Sequence, residues 1–201
     1  MTVVGILGMT HDEEMQKKYH YPLSLVKELI LEFKPDVICG EVHPDSWELY
    51  LDKGEPYGIL GETQGEYPQL IFPLCEERGI DFVPVNWFEE DVFEEEAFDQ
   101  YDSDTRKQLE EKLNEWNKRQ LATWNEGNIP LNSFVYDEIT NEMYKWLHRV
   151  NPEVQNIVWN ARHYIMVARV KREFSVSMVL TIIIGIINLL KTIGISNLYI
   201  L

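Results

Sequence analysis

His11 stands three residues after Gly8, in the stretch Val3-Val4-Gly5-Ile6-Leu7-Gly8-Met9-Thr10-His11. An apolar run breaks at a glycine and an imidazole follows. That order predicts a short buried strand, a turn, and a titratable group just past the strand's carboxyl end. Ligands of open α/β sheets bind outside those carboxyl ends. Imidazole is also the side chain best matched to proton transfer near neutral pH. A second apolar run, DVICG at 36–40, ends on Glu41, and His43 follows two residues later. In an extended segment positions 41 and 43 point to one side, so His11, Glu41 and His43 can converge. Each also has an ordinary alternative: a surface acid or helix cap for Glu41, and a loop histidine before Pro44 for His43.

The G-x-x-H spacing has an echo. Near the other end, SMVLTIII at 177–184 stops at Gly185 and reaches Asn188 three residues later. The second half therefore carries G-x-x-N, with asparagine where a matching site would need histidine.

The elements that must hold these residues follow from periodicity. The first strand covers about 3–7. Leu23, Val26, Leu29, Ile30 and Phe33 recur at helical spacing, and Pro22 suits the start of that helix. Lys34-Pro35 ends it, and the second strand follows at 36–40. Residues 3–40 thus read as β-α-β with parallel strands, and Glu41 is expected at the end of the strand beside the first. Residues 52–68 are rich in Gly, Pro and Glu and read as a long lid-like connection or a plain insertion. Tyr67 to Arg78 reads as a helix. Ile80 to Val85 reads as a third strand, with Pro84 arguing for an edge. The acidic run at 89–100 reads as a solvated helix face. Helices are predicted at 104–126 and 134–150. A third starts at Asn151-Pro152-Glu153, where Asn is a cap, Pro a first-turn residue and Glu a favourable first-turn charge. The continuous β-branched run at 177–184 suits a central parallel strand, and a last strand is predicted at 197–201.

The expected fold class is therefore α/β: a mostly parallel central sheet built from two β-α-β-like halves, about 1–88 and 151–201. A helical insertion, about 89–150, lies between them in a single domain of 201 residues. The 18 Lys+Arg against 34 Asp+Glu leave a formal charge of -16, which argues against nucleic acid as a partner. Cys39 and Cys75 lack C-x-x-C spacing and read as buried thiols of a reducing, cytoplasmic compartment. No basic segment precedes an apolar one at the N-terminus, so no signal peptide is expected. Residues 175–201 are apolar enough to raise a membrane anchor as an alternative. Gly185, Asn188, Lys191, Gly194, Ser196 and Asn197 punctuate that run and favour buried strands.

With these motifs in place, the chain resembles the superfamily of the TraB pheromone-shutdown proteins, Tiki proteases, ChaN-like haem-binding lipoproteins and erythromycin esterases. Gly8 and His11 match its first G-x-x-H, and Glu41 matches the Glu after the second strand. Arg162, in NARHYIMVARV, matches the Arg of the helix before the second motif; Gly185 matches that motif's glycine, and Asn188 replaces its histidine. The resemblance implies a two-half α/β fold with a helical insertion and, in several members, a metal-dependent hydrolase site. On that reading His11, Glu41 and His43 would hold a divalent metal ion and activate water near His11 and Glu41. Arg162 would steady a developing oxyanion or hold a carboxylate or phosphate, its alternative being a surface salt bridge. The partner would be a small-molecule or peptide substrate. Asn188 supplies only an amide oxygen, a poorer zinc ligand, so a catalytically degenerate ligand-binding member is the alternative. His20, His148 and His163 are assigned no role, the last two because they look exposed.

Overall fold

The computed structural model describes residues 3–54, 65–88, 97–173, 178–182 and 198–200. They form two compact units, one of residues 1–87 and 165–201, the other of residues 88–164.

The first unit is α/β. Its strands are β1 (Val3–Leu7), β2 (Val37–Gly40), β3 (Asp81–Pro84), β4 (Met178–Ile182) and β5 (Leu198–Ile200). They make one sheet in the order β3-β2-β4-β1-β5, and every described pairing is parallel. Both faces of such a sheet are covered, so its strands read as unbroken apolar runs. Val4, Ile6, Leu7, Val37, Ile38, Cys39, Val179, Leu180 and Ile182 are accordingly buried. Pro84 sits where its missing N–H is tolerated, on the edge strand β3. The β-branched run that looked central is central.

One expectation is corrected. The strand beside β1 is not β2 but β4, paired from Val3↔Met178 to Leu7↔Ile182. The two halves interleave: β4 enters between β1 and β2, and β1 lies between β4 and β5. The chain leaves β1 toward one side of the sheet and leaves β4 toward the other. The exits of β1 and β4 therefore form the topological switch point, where open α/β sheets take their ligands.

Four helices of this unit bear on the site. Helix α1 (Glu13–Lys18) is capped by Asp12, whose side chain accepts from the Met15 N–H. Helix α2 (Leu23–Phe33) buries Val26 and Ile30, and Phe33 lies over Gly5, where a Cβ would be 2.7 Å from the ring. Helix α3 (Pro44–Lys53) was not read from the sequence. Its signal is His43-Pro44-Asp45: a cap, a proline in the first turn and a first-turn acid. Helix α4 (Phe72–Arg78) is preceded by a π-helical turn, Tyr67–Ile71. Pro73 explains the widening. It has no N–H, and in a regular helix its ring would meet the Gln69 carbonyl. The Phe72 N–H reaches back to the Tyr67 carbonyl instead, one residue further than in an α-helix.

The second unit is helical, as the insertion was expected to be, but it runs on to Tyr164. Helix α5 (Ser103–Ala122) is capped by Asp102, helix α6 (Phe134–Val150) by Ser133. Phe98, Met143 and Leu147 form its buried centre, with Leu109, Leu113, Trp116 and Trp146 packed around it. Asn151 caps the next helical segment, Pro152–Val154, and its amide also donates to the Ala97 carbonyl at 2.7 Å. Trp159, on the following π-helical turn Gln155–Ala161, packs on Tyr144 with centroids 4.5 Å apart. These contacts keep residues beyond 150 within the unit. Helix α7 (Arg162–Arg172) follows.

Among the described residues no helix is long and apolar enough to cross a membrane. Within 175–201 the described segments are β4 and β5, two strands of the sheet. Most of the acidic run 89–100, and the lid-like stretch 55–64, lie outside the described residues.

Candidate active site at the exit of the first strand

Leu7 ends β1, and Gly8 to Thr10 carry the chain across the carboxyl edge to His11. Tyr21, fully buried, donates from its hydroxyl to the Gly8 carbonyl at 2.9 Å. Gln16 donates from its side-chain amide to the Thr10 carbonyl at 2.8 Å. The turn that carries His11 is thus tied at two carbonyls to the chain that follows it.

His11 pairs with Glu66, a residue the sequence did not single out. The imidazole Nδ1 meets Glu66 Oε1 in a close hydrogen bond. The His11 side chain is 22% exposed and that of Glu66 only 1%. The second carboxylate oxygen, Oε2, is buried without a hydrogen-bond partner among the described residues. Carboxylates this buried are rare unless paired. Beside the pair lies a cavity of about 240 Å³ lined by His11, Glu13, Gln16, Lys17, Leu23, Glu66 and Gln69, among others.

Glu66 was missed because nothing in its sequence context marks it. It is one of several acids in a Gly- and Glu-rich run. It directly precedes the π-helical turn that starts at Tyr67. Tyr67 is fully buried; its hydroxyl accepts from the Glu41 N–H at 2.6 Å and lies 3.4 Å from the Ile182 carbonyl, to which it donates. The Tyr67 ring fits there because Gly40 has no side chain: a Cβ at Gly40 would lie 2.7 Å from it and 2.6 Å from Phe82.

Glu41 leaves the end of β2, half-buried. Because β4 intervenes, the exits of β1 and β2 are two strand spacings apart, about 10 Å. His43 caps α3, its Nδ1 accepting from the Asp45 N–H at 3.3 Å. Among the described residues no three His, Cys, Asp or Glu side chains are grouped so as to hold a metal ion. His11, Glu41 and His43 are not brought together as such a group, and His43 spends one ring nitrogen on the helix.

Arg162 belongs to the second unit. It is buried, not on the surface, with its guanidinium 5.9 Å from the Trp159 ring centre. His163 is likewise buried, against the expectation of an exposed helix position. Burial, and then the neighbouring Arg162 charge, lower its pKa to about 4. Gly185 and Asn188 lie outside the described residues. Cys39 and Cys75 are buried free thiols, both pushed up to about 12, chiefly by burial, and so are inert as nucleophiles.

Comparison of the chain with protein-family models, with curated proteins and with solved structures gives no match.

Proposed function

We propose that the chain is a hydrolase-like enzyme of the kind its G-x-x-H and Glu motifs resemble, with His11 as general base and Glu66 as the carboxylate that orients it. The observation that carries this reading is the His11–Glu66 pair, placed at the sheet's switch point and bordering a cavity. An ionised carboxylate at Nδ1 fixes the proton on that nitrogen. Nε2 then carries the lone pair and takes a proton from water as it attacks the ester or amide carbonyl carbon; the buried carboxylate stabilises the imidazolium, which returns that proton to the leaving alkoxide or amine as the C–O or C–N bond breaks. The substrate is a small molecule or the end of a peptide, which a cavity of about 240 Å³ can admit. The divalent ion implied by the resemblance does not fit the described donors: His43 caps a helix, and no three-ligand group is present among them. The step is therefore written through side chains alone.

The test is hydrolysis of a panel of small esters and amides by the wild-type chain, His11→Ala and Glu66→Gln, each with chelator or added divalent ions. Loss on His11→Ala and a fall of roughly 10³- to 10⁴-fold on Glu66→Gln are expected, since a carboxylate that sets the tautomer is worth that much in hydrolases. Turnover that survives His11→Ala, or that tracks added metal and not Glu66, overturns the reading. The second reading, a ligand-binding member without turnover, is favoured by Asn188 in place of histidine. Activity gained only on Asn188→His would support it.

A further inference from the structure

Resting on the His11–Glu66 reading, we infer that Tyr21 and Tyr67 are the positioning residues of the pair, each fixing through its hydroxyl the backbone that carries one member. Both are fully buried, and buried hydroxyls are mostly paired. What distinguishes these two is where their partners lie. Tyr21 donates to Gly8, the first residue of the turn that delivers His11. Tyr67 directly follows Glu66; it accepts from Glu41, the first residue after β2, and donates to Ile182, the last residue of β4. The partners are 13, 26 and 115 residues away in the chain, and all three sit at strand exits. A packing role alone would be met by phenylalanine. The hydroxyls add register: they set the height of the His11 turn and of the Glu66 segment above the carboxyl edge. A misplacement of about 1 Å in such a pair is enough to uncouple it from a reaction.

The experiment is proton–nitrogen NMR of the full chain with labelled histidine, the His11 signals being assigned by their loss in His11→Gln. The wild-type chain is expected to show a downfield Nδ1 proton that disappears in Glu66→Gln. Tyr21→Phe and Tyr67→Phe, each checked for fold by circular dichroism, are expected to move that resonance upfield and to speed its exchange with solvent at least tenfold. Tyr101→Phe is the control. It removes a comparable bond, Tyr101 hydroxyl to the Val150 carbonyl at 2.6 Å in the second unit, and is expected to leave the resonance in place. A resonance unmoved in both folded variants overturns the positioning role and leaves the pair intact. A wild-type chain without the downfield proton overturns the pair itself, and the positioning role with it. Should a phenylalanine variant fail to fold, 3-fluorotyrosine at the same position keeps the ring and the bond but changes the hydroxyl's acidity. It is expected to shift the His11 resonance, and an unshifted signal overturns the role equally.

Discussion

Acid should weaken the second unit through one residue, His163. The residue is 9% exposed, and its ring stands edge-on to Trp159, with centroids 5.4 Å apart. Its Nε2 is buried without a hydrogen-bond partner among the described residues. Protonation would place a cation in that pocket next to Arg162, which is why its pKa is lowered to about 4. In the unfolded chain the imidazole returns to its ordinary value of about 6.5. Between these values the unfolded state binds a proton that the folded state refuses, so stability falls as pH falls. Linkage gives a loss of about 2 kcal/mol between pH 7 and pH 5 and about 3 kcal/mol by pH 4. His163→Phe keeps an aromatic ring against Trp159 and removes the titration. Urea unfolding followed by tryptophan fluorescence at pH 7 and pH 5 compares the two proteins. The variant is expected to be close to wild type at pH 7 and to gain on it by about 2 kcal/mol at pH 5. An identical pH dependence in both proteins would refute the argument.

Two further perturbations test the packing that supports the site. Gly40→Ala puts a methyl group 2.6 Å from the Phe82 ring and 2.7 Å from the Tyr67 ring; urea titration should show a loss of about 2 kcal/mol, and a neutral result would mean the rings are not held against β2. Thr181, on central strand β4, is fully buried and its hydroxyl has no partner among the described residues. Thr181→Val keeps the shape and removes that unpaired group, so the melting temperature should rise by the equivalent of about 1 kcal/mol, and a lowered one would show that the hydroxyl is bonded.

What the sequence showed well was local. Continuous apolar runs, Pro84 at an edge, the Asn151-Pro152 cap and the 3–4 spacing of α2 are each decided by neighbours within a few residues, and each appears in the structure. Strand order is different. Interleaving β4 between β1 and β2 depends on contacts some 140 to 175 residues apart in the chain, such as Val37 with Val179 and Val3 with Met178, and no local pattern encodes it. The candidate site divides in the same way. His11 was legible because a glycine and a strand end mark it. Glu66 was not, because its distinction is burial and a partner 55 residues away in the chain, and neither is written in its neighbours. His163 looked exposed for a related reason. Its context, Arg-His-Tyr, is polar, while the ring it packs against, Trp159, sits four residues earlier on the π-helical turn before α7.

The all-parallel order also explains why the chain carries polar ties at its sheet edge. A strand that leaves a parallel sheet has its last carbonyls and the following N–H groups outside the ladder. Parallel strands are joined by crossovers of a dozen or more residues, so no tight turn satisfies them. Here the chain must cross a foreign strand on leaving β1 and must travel through the second unit on leaving β3. Side chains supply the missing partners. Tyr21 takes the exit of β1, Tyr67 those of β2 and β4, and Arg169 reaches the carbonyls of Val85 and Asn86 just past β3. Each tie fixes a strand exit rather than a strand. Fixed exits at a switch point are what a catalytic pair requires, because the groups that react hang from them. The His11–Glu66 pair thus lies beside strand exits that side chains hold in place.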